Sequence, residues 1–225
     1  MAIEISRYLP TSTTLDRFDG SRWRMFDLNG GNLVLTQNGQ ELVSKRPSVL
    51  TDLKGYRHEL LNPGMPASMR RPFRHGGNSD VYEVGDTDLV IKEAGNEQSV
   101  WFSLERLDYL YGICEESLPP FIRVPEHYGA LFSAKLDRQF LLMQKVNNGF
   151  TIQDLLDDNS NPQRAGMVKG AFDRAKSLLD QAIKRHELED GYPHRLLTDW
   201  HEGNVIVDFE KPTNEYPFTL YVIDQ

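Results

Sequence analysis

Thr198-Asp199-Trp200-His201-Glu202-Gly203-Asn204-Val205-Ile206-Val207-Asp208, followed after a short break by Tyr221-Val222-Ile223-Asp224-Gln225, is the stretch on which the reading of this 225-residue chain turns. It sets out an acid, an amide five residues later, an apolar strand, and a second acid closing a second apolar strand. That layout suits phosphoryl transfer to a hydroxyl: one acid can accept the substrate proton, and the amide and the second acid can hold magnesium. An Asp-x-x-x-x-Asn pair alone is common by chance. Here it opens a strand hairpin, and an acid at the end of an apolar strand is costly unless a ligand or partner takes up its charge. His201, between Asp199 and Asn204, could touch the transferred phosphate, although a lone histidine is also an ordinary loop residue.

Working outward, the segment 162–188 is the clearest helix. Pro162 sits at a first helical position behind Asn161, and Val168, Phe172, Ala175, Leu179 and Ile183 form an apolar stripe. A short helix starts at Thr151. Residues 127–132 and 139–146 predict a hairpin around residues 134–137. Before it, Val100, Leu104, Leu107 and Tyr111 recur at helical spacing, with Asn96 as N-cap and Gly112 as stop. Val81–Val84 and Leu89–Lys92 read as strands joined at Gly85-Asp86. Residues 62–72, rich in proline, read as a linker. Residues 23–43 alternate in short pieces around Asn29-Gly30-Gly31 and Asn38-Gly39, which predicts a small meander. Residues 1–20 are polar and expected to be loose. Strands, one helix, strands, then mostly helix with a closing hairpin is an α+β order.

Composition narrows the class. At 39 % hydrophobic and 26 % charged residues the chain reads as a soluble globular protein. A net charge of −8 argues against nucleic acid as the main partner. Cys114 is the single cysteine, so no intrachain disulfide can form, and an inert core thiol is expected. No apolar run approaches the ~20 residues of a membrane span. The N-terminus lacks the basic and apolar regions of a cleavable signal peptide. The expected location is cytoplasmic, or a host cell reached by export without a cleaved signal.

Three further features complete the set. Gly76, Gly77, Asn78 and Ser79 lie before Val81-Tyr82, where glycines let backbone amides approach phosphate oxygens; alone, this is also an ordinary turn. Lys92 ends a Val-Ile-Lys strand, from which a lysine can reach the α and β phosphates. Glu97 and Glu105 both lie on the following helix, and either could hold Lys92. Glu105, mid-helix, is preferred, since an acid in the first turn is favoured by the helix dipole anyway.

In this order, the Gly loop, Val-Ile-Lys, helix glutamate and closing segment resemble the protein-kinase-like superfamily over residues 73–225. The resemblance implies a two-lobed fold: an N-lobe at 73–146 and a minimal, mainly helical C-lobe at 147–225, without activation loop or later helices. Residues 1–72 form an extension, a loose tail and then a small β-rich add-on. It further implies Met143 as gatekeeper and adenine held by the backbone of Gln144 and Val146. Lys92 would pair the phosphates, anchored by Glu105. Asp199 would be the catalytic acid, and Asn204 and Asp224 the Mg2+ ligands, with ATP as phosphoryl donor.

Departures from the pattern shape the substrate expectation. The third glycine of the loop is Ser79, Leu197-Thr198-Asp199 stands for His-Arg-Asp, and Asp224-Gln225 for Asp-Phe-Gly. Asp199-Trp200-His201-Glu202-Gly203-Asn204 is similar to the Asp-Leu-His-Pro-Gly-Asn of aminoglycoside and choline kinases. The chain ending one residue after Asp224 is more like the compact protein kinases injected by pathogenic bacteria. The expectation is therefore a monomeric, atypical serine/threonine protein kinase of effector type acting on a protein hydroxyl, in a host for an exported effector. A small-molecule kinase and a pseudokinase binding module are the alternatives, and nucleotidyl transfer on the same fold is a further one.

Overall fold

The computed structural model describes residues 20–29, 32–61, 74–75, 80–84, 87–94, 97–133, 138–146, 150–158, 160–190 and 201–223. A 3-10 turn at Gly20–Trp23 leads into β1 (Arg24–Asn29) and β2 (Asn32–Leu35), then helices α1 (Gln37–Lys45) and α2 (Pro47–Leu61). There follow β3 (Arg74–His75), β4 (Asp80–Glu83), β5 (Leu89–Ala94), α3 (Glu97–Ser117), β6 (Ile122–Arg123), β7 (His127–Ser133) and β8 (Arg138–Gln144). The second half holds β9 (Phe150–Thr151), α4 (Ile152–Asp157), α5 (Pro162–Asp190), a 3-10 turn at Glu202–Asn204, β10 (Val205–Asp208) and β11 (Thr219–Val222). The class is α+β, as the element order predicts. Among the described residues no helix is long and apolar enough to cross a membrane.

The described strands form a seven-stranded sheet, ordered β2-β1-β7-β8-β5-β4-β3, and a four-stranded sheet, ordered β6-β11-β10-β9. The expected hairpins β4/β5, β7/β8 and β10/β11 all form as antiparallel pairs. So do the helix starting at Thr151 and the long helix from Pro162. Thr151 closes a capping box with Asp154, each side chain bonding the other's backbone amide, at 3.1 and 2.9 Å.

Two faces of the large sheet have different covers. Strand alternation puts Leu89, Ile91, Phe140, Leu142, Leu131, Phe26 and Leu28 on one face, where they pack with Val49 and Leu53 of α2. The opposite face carries Val90, Leu141, Met143 and Ala130. It continues without a break into α3, α5 and the β10/β11 hairpin through Leu104, Leu107, Phe172, Leu179, Val205 and Val222. Burial of these apolar side chains is the dominant favourable contribution to the fold.

Residues 20–61 thus supply an edge hairpin and a helical cover to the same sheet that residues 74–144 build. From Arg24 to Leu61 the described residues form two strands and two helices rather than a meander. Asn38-Gly39 lies inside α1. Thr36 caps that helix by accepting from the Gly39 amide at 3.1 Å, while its hydroxyl donates to the Arg24 carbonyl at 2.5 Å. Position 39 needs glycine because a Cβ there would run into the Met25 carbonyl of β1. A helix stop at Gly112 is likewise not observed. α3 runs five residues further, because Ile113 and Cys114 continue its buried stripe and outweigh the ~1 kcal/mol that a helical glycine costs. The β6 strand pairs in parallel with β11, so the segment after α3 enters the smaller sheet before the chain returns to β7.

Cys114 is buried, and desolvation pushes its thiol up to about 12. Native protein at neutral pH is expected to resist thiol reagents, with one equivalent reacting only after denaturation; rapid labelling of folded protein would contradict this.

Candidate active site

The closing hairpin brings two of the predicted elements together. Val205 pairs with Val222, and the Ile223 amide donates to the Asn204 carbonyl at 3.0 Å. The residue bearing the candidate amide and the residue before Asp224 are therefore adjacent across one ladder. β10 and β11 are buried on both faces. Val205, Val207, Leu220 and Val222 face the main core, and Ile206 and Tyr221 face the other way onto Val146, with Ile223 packed alongside. An apolar shelf thus lies between the end of β8 and Asn204. No periodic signal in the sequence singles out Ile206 or Tyr221, because a strand buried on both faces reads as a continuous apolar run.

His201 is exposed and caps the 3-10 turn that carries Asn204: its Nδ1 accepts from the Gly203 amide at 3.0 Å. A Cβ on Gly203 would come within 2.9 Å of that ring nitrogen, so a side chain there would shift the capping ring. Glu202 is tied to α5 by Lys169 at 2.9 Å, and Lys169 also holds Asp173 at 2.7 Å. The Lys169 hydrogen bond holds the Glu202 carboxyl below its ordinary value. A lowered carboxylate stabilises above its unfolded pKa and loses that contribution as pH falls through its folded one. Lys169→Ala is therefore expected to cost less than ~1 kcal/mol near neutral pH, the scale of an exposed pair. The difference from wild type should vanish in acid; denaturant titrations at pH 7 and below the carboxylate range check it.

Lys92 lies between Val81 and Leu141 in the sheet. By alternation it shares the face of Val90, the face that continues into the second half of the chain. Met143, buried, pairs with Val90 and so sits diagonally across from Lys92 on that face, about 7–8 Å away at such positions. Gln144 and Val146 follow it. The Gln144 amide already donates to the Glu126 carbonyl at 2.7 Å, so a purine contact at Gln144 is restricted to its carbonyl oxygen. The Lys145 amide donates to the Asp88 carbonyl at 2.8 Å and its Nζ meets Glu83 at 2.8 Å, fastening this segment to the β4/β5 hairpin.

Glu105, expected to anchor Lys92, has contacts the sequence does not foresee. Its buried carboxylate accepts from Arg22 and from Trp23 Nε1, the latter at 2.7 Å. The cause is the phase of α3. The helix lies across β7 and β8, and the side bearing Glu105 and Asp108 meets the segment before β1; Arg22 also reaches Asp108, at 3.9 Å. No spacing could reveal partners 82 and 83 residues away. The side chain of Glu97, the alternative, lies outside the described residues, as do Gly76, Gly77, Asn78, Ser79, Asp199 and Asp224. The strands on either side of residues 76–79 in the chain, β3 and β4, pair antiparallel.

Among the described residues no group of three or more His, Cys, Asp or Glu could hold a metal. The candidate donors are an amide and a carboxylate, hard oxygen ligands of the kind magnesium takes together with substrate phosphates. The sequence matches no protein-family model and no curated protein.

Proposed function

We propose that the chain is an ATP- and Mg2+-dependent phosphotransferase of protein-kinase-like, two-lobed architecture, transferring the γ-phosphate to a protein hydroxyl. The observation that carries this is the Asn204–Ile223 pairing beside the Val146–Ile206–Tyr221 shelf. It supports an arrangement in which an adenine rests on the shelf, Met143 closes its inner end, and the phosphates run toward Asn204 and Asp224. Lys92 projects from the sheet face that leads into the same core. The loop 76–79 would cover the phosphates with backbone amides. Asn204 and Asp224 fit as the residues that would hold magnesium, which when bound neutralises phosphate charge.

In this arrangement Asp199 orients the acceptor hydroxyl and accepts its proton. His201, exposed and held by the Gly203 amide, would touch the transferred phosphate. Catalysis is positioning and charge neutralisation, with no covalent enzyme intermediate. The test is transfer of labelled γ-phosphate, to the chain itself or to a generic protein, by wild type, Asp199→Ala and Asp224→Ala. Labelling that depends on both acids supports the proposal, and equal labelling in all three removes it. ATP turnover with amino sugars or choline and no protein labelling would assign a small-molecule acceptor.

The Glu105 contacts favour one second reading. With this carboxylate committed to Arg22 and Trp23, a module that binds nucleotide without transfer is the alternative; stabilisation by Mg-ATP with no turnover would identify it.

A further inference from the structure

α3 is held to its sheet by apolar side chains, Val100, Leu104, Leu107, Leu110, Ile113 and Cys114, whose packing is non-directional. Polar contacts add directional restraints to that packing. Mid-helix these converge on the four-residue turn before β1: Glu105 with Arg22 and Trp23, Asp108 with Arg22. Arg22 also stacks on the Trp23 ring, its guanidinium carbon 4.6 Å from the centroid. Asp108 continues the cluster to His127 of β7, whose Nε2 is 3.5 Å away and whose ring lies 5.5 Å from that of Trp23. Glu105 is buried while the Arg22 side chain is half-exposed, so losing Arg22 leaves a buried carboxylate with Trp23 as its partner in this clasp, which favours the helix position that keeps both. At its other end α3 starts only two residues after β5, the strand bearing Lys92. α3 also packs against β5, so a helix allowed to rotate or slide shifts its contacts with that strand.

We infer that Arg22 and Trp23 are positioning residues for the phosphate-binding lysine, acting through Glu105 and α3. The N-terminal add-on then serves the reaction as well as the fold: its first turn fixes the helix that fixes Lys92. This rests on the phosphotransferase reading above.

The test uses the full chain, with Arg22→Ala, Trp23→Phe, Glu105→Gln, the Arg22→Ala/Glu105→Gln pair, and Arg22→Lys. Each variant is assayed for kcat and KM for ATP at a temperature where circular dichroism shows it folded. The expected result is a roughly tenfold loss in kcat for each of Arg22→Ala, Trp23→Phe and Glu105→Gln, within the ~10²-fold that an ångström of misplacement can cost. The pair should be no worse than either of its single changes, and Arg22→Lys should recover part of the loss. A stabilising role alone would lower Tm and leave kcat of folded protein unchanged. Unchanged kcat, or losses that multiply in the pair, overturns the inference. Transfer by wild type that does not depend on Asp199 overturns the underlying reading instead, and is seen before any clasp variant is compared.

Discussion

Asp199→Ala is expected to lower γ-phosphate transfer by about 10²–10⁴-fold, the range for losing a positioned acid–base group, while Mg-ATP binding and Tm stay near wild type. The described bonds that hold the end of this loop involve other groups: the Gly203 amide with His201, the Ile223 amide with the Asn204 carbonyl, and Glu202 with Lys169. Those bonds do not use residue 199, and they are expected to persist when it loses its carboxylate. Asn204→Ala should behave differently. Its backbone carbonyl still accepts from Ile223, so the hairpin survives, but a magnesium donor is gone. The magnesium concentration needed for half-maximal rate should rise, whereas for Asp199→Ala it should not. Measuring rate against magnesium for the three proteins separates the roles. Coincident curves would remove the assignment of acid and ligand.

Gly129→Ala is expected to destabilise the fold by about 2–4 kcal/mol, a fall in Tm on the order of 10 °C for a chain this size. Gly129 sits on β7 with φ +84, a conformation that an L side chain adopts only with strain. A Cβ there would also come within 2.7 Å of the Trp23 carbonyl and press on the Met25 side chain. The register irregularity of β7 against β8 spans this position, between His127 and Ala130, and that of β1 against β7 lies beside it, between Arg24 and Phe26 opposite Ala130 and Leu131, so the glycine lets the N-terminal strand approach. The loss should therefore be local to the β1/β7 seam and should accompany faster amide exchange at Phe26 and Leu28. A Tm within 2–3 °C of wild type, less than ~1 kcal/mol at this size, would show that the seam tolerates a side chain and that the close approach is not what glycine is there for.

Legibility followed the range of the interactions. The helix from Pro162, the capping box at Thr151 and the three antiparallel hairpins rest on contacts a few residues apart, and each was readable. Asn38-Gly39 reads as a turn because the same dipeptide that closes a turn also allows a close helix–strand approach; the deciding contacts, Thr36 with the Arg24 and Met25 carbonyls, lie 12 and 11 residues away. Gly112 was misread as a stop because two buried residues beyond it extend the helix. In the site, the order of Lys92, Met143, Asn204 and Asp224 was visible, and so was the hairpin that places Asn204 beside Ile223. The partner of Glu105 was not, since Arg22 and Trp23 carry no periodicity that points to a helix 80 residues on.

The sequence by itself determined the α+β class, the local elements and the candidate chemistry of the closing segment, because residue type and short-range spacing settle these. Only the tertiary structure decided that residues 20–61 complete the sheet on its edge and far face. Only the tertiary structure brought Arg22 and Trp23 to the Glu105 carboxylate. The physical reason is the same in both cases. Apolar faces and buried charges take whichever partner the packing brings near, and which one that is depends on strand order and helix phase, not on distance along the chain.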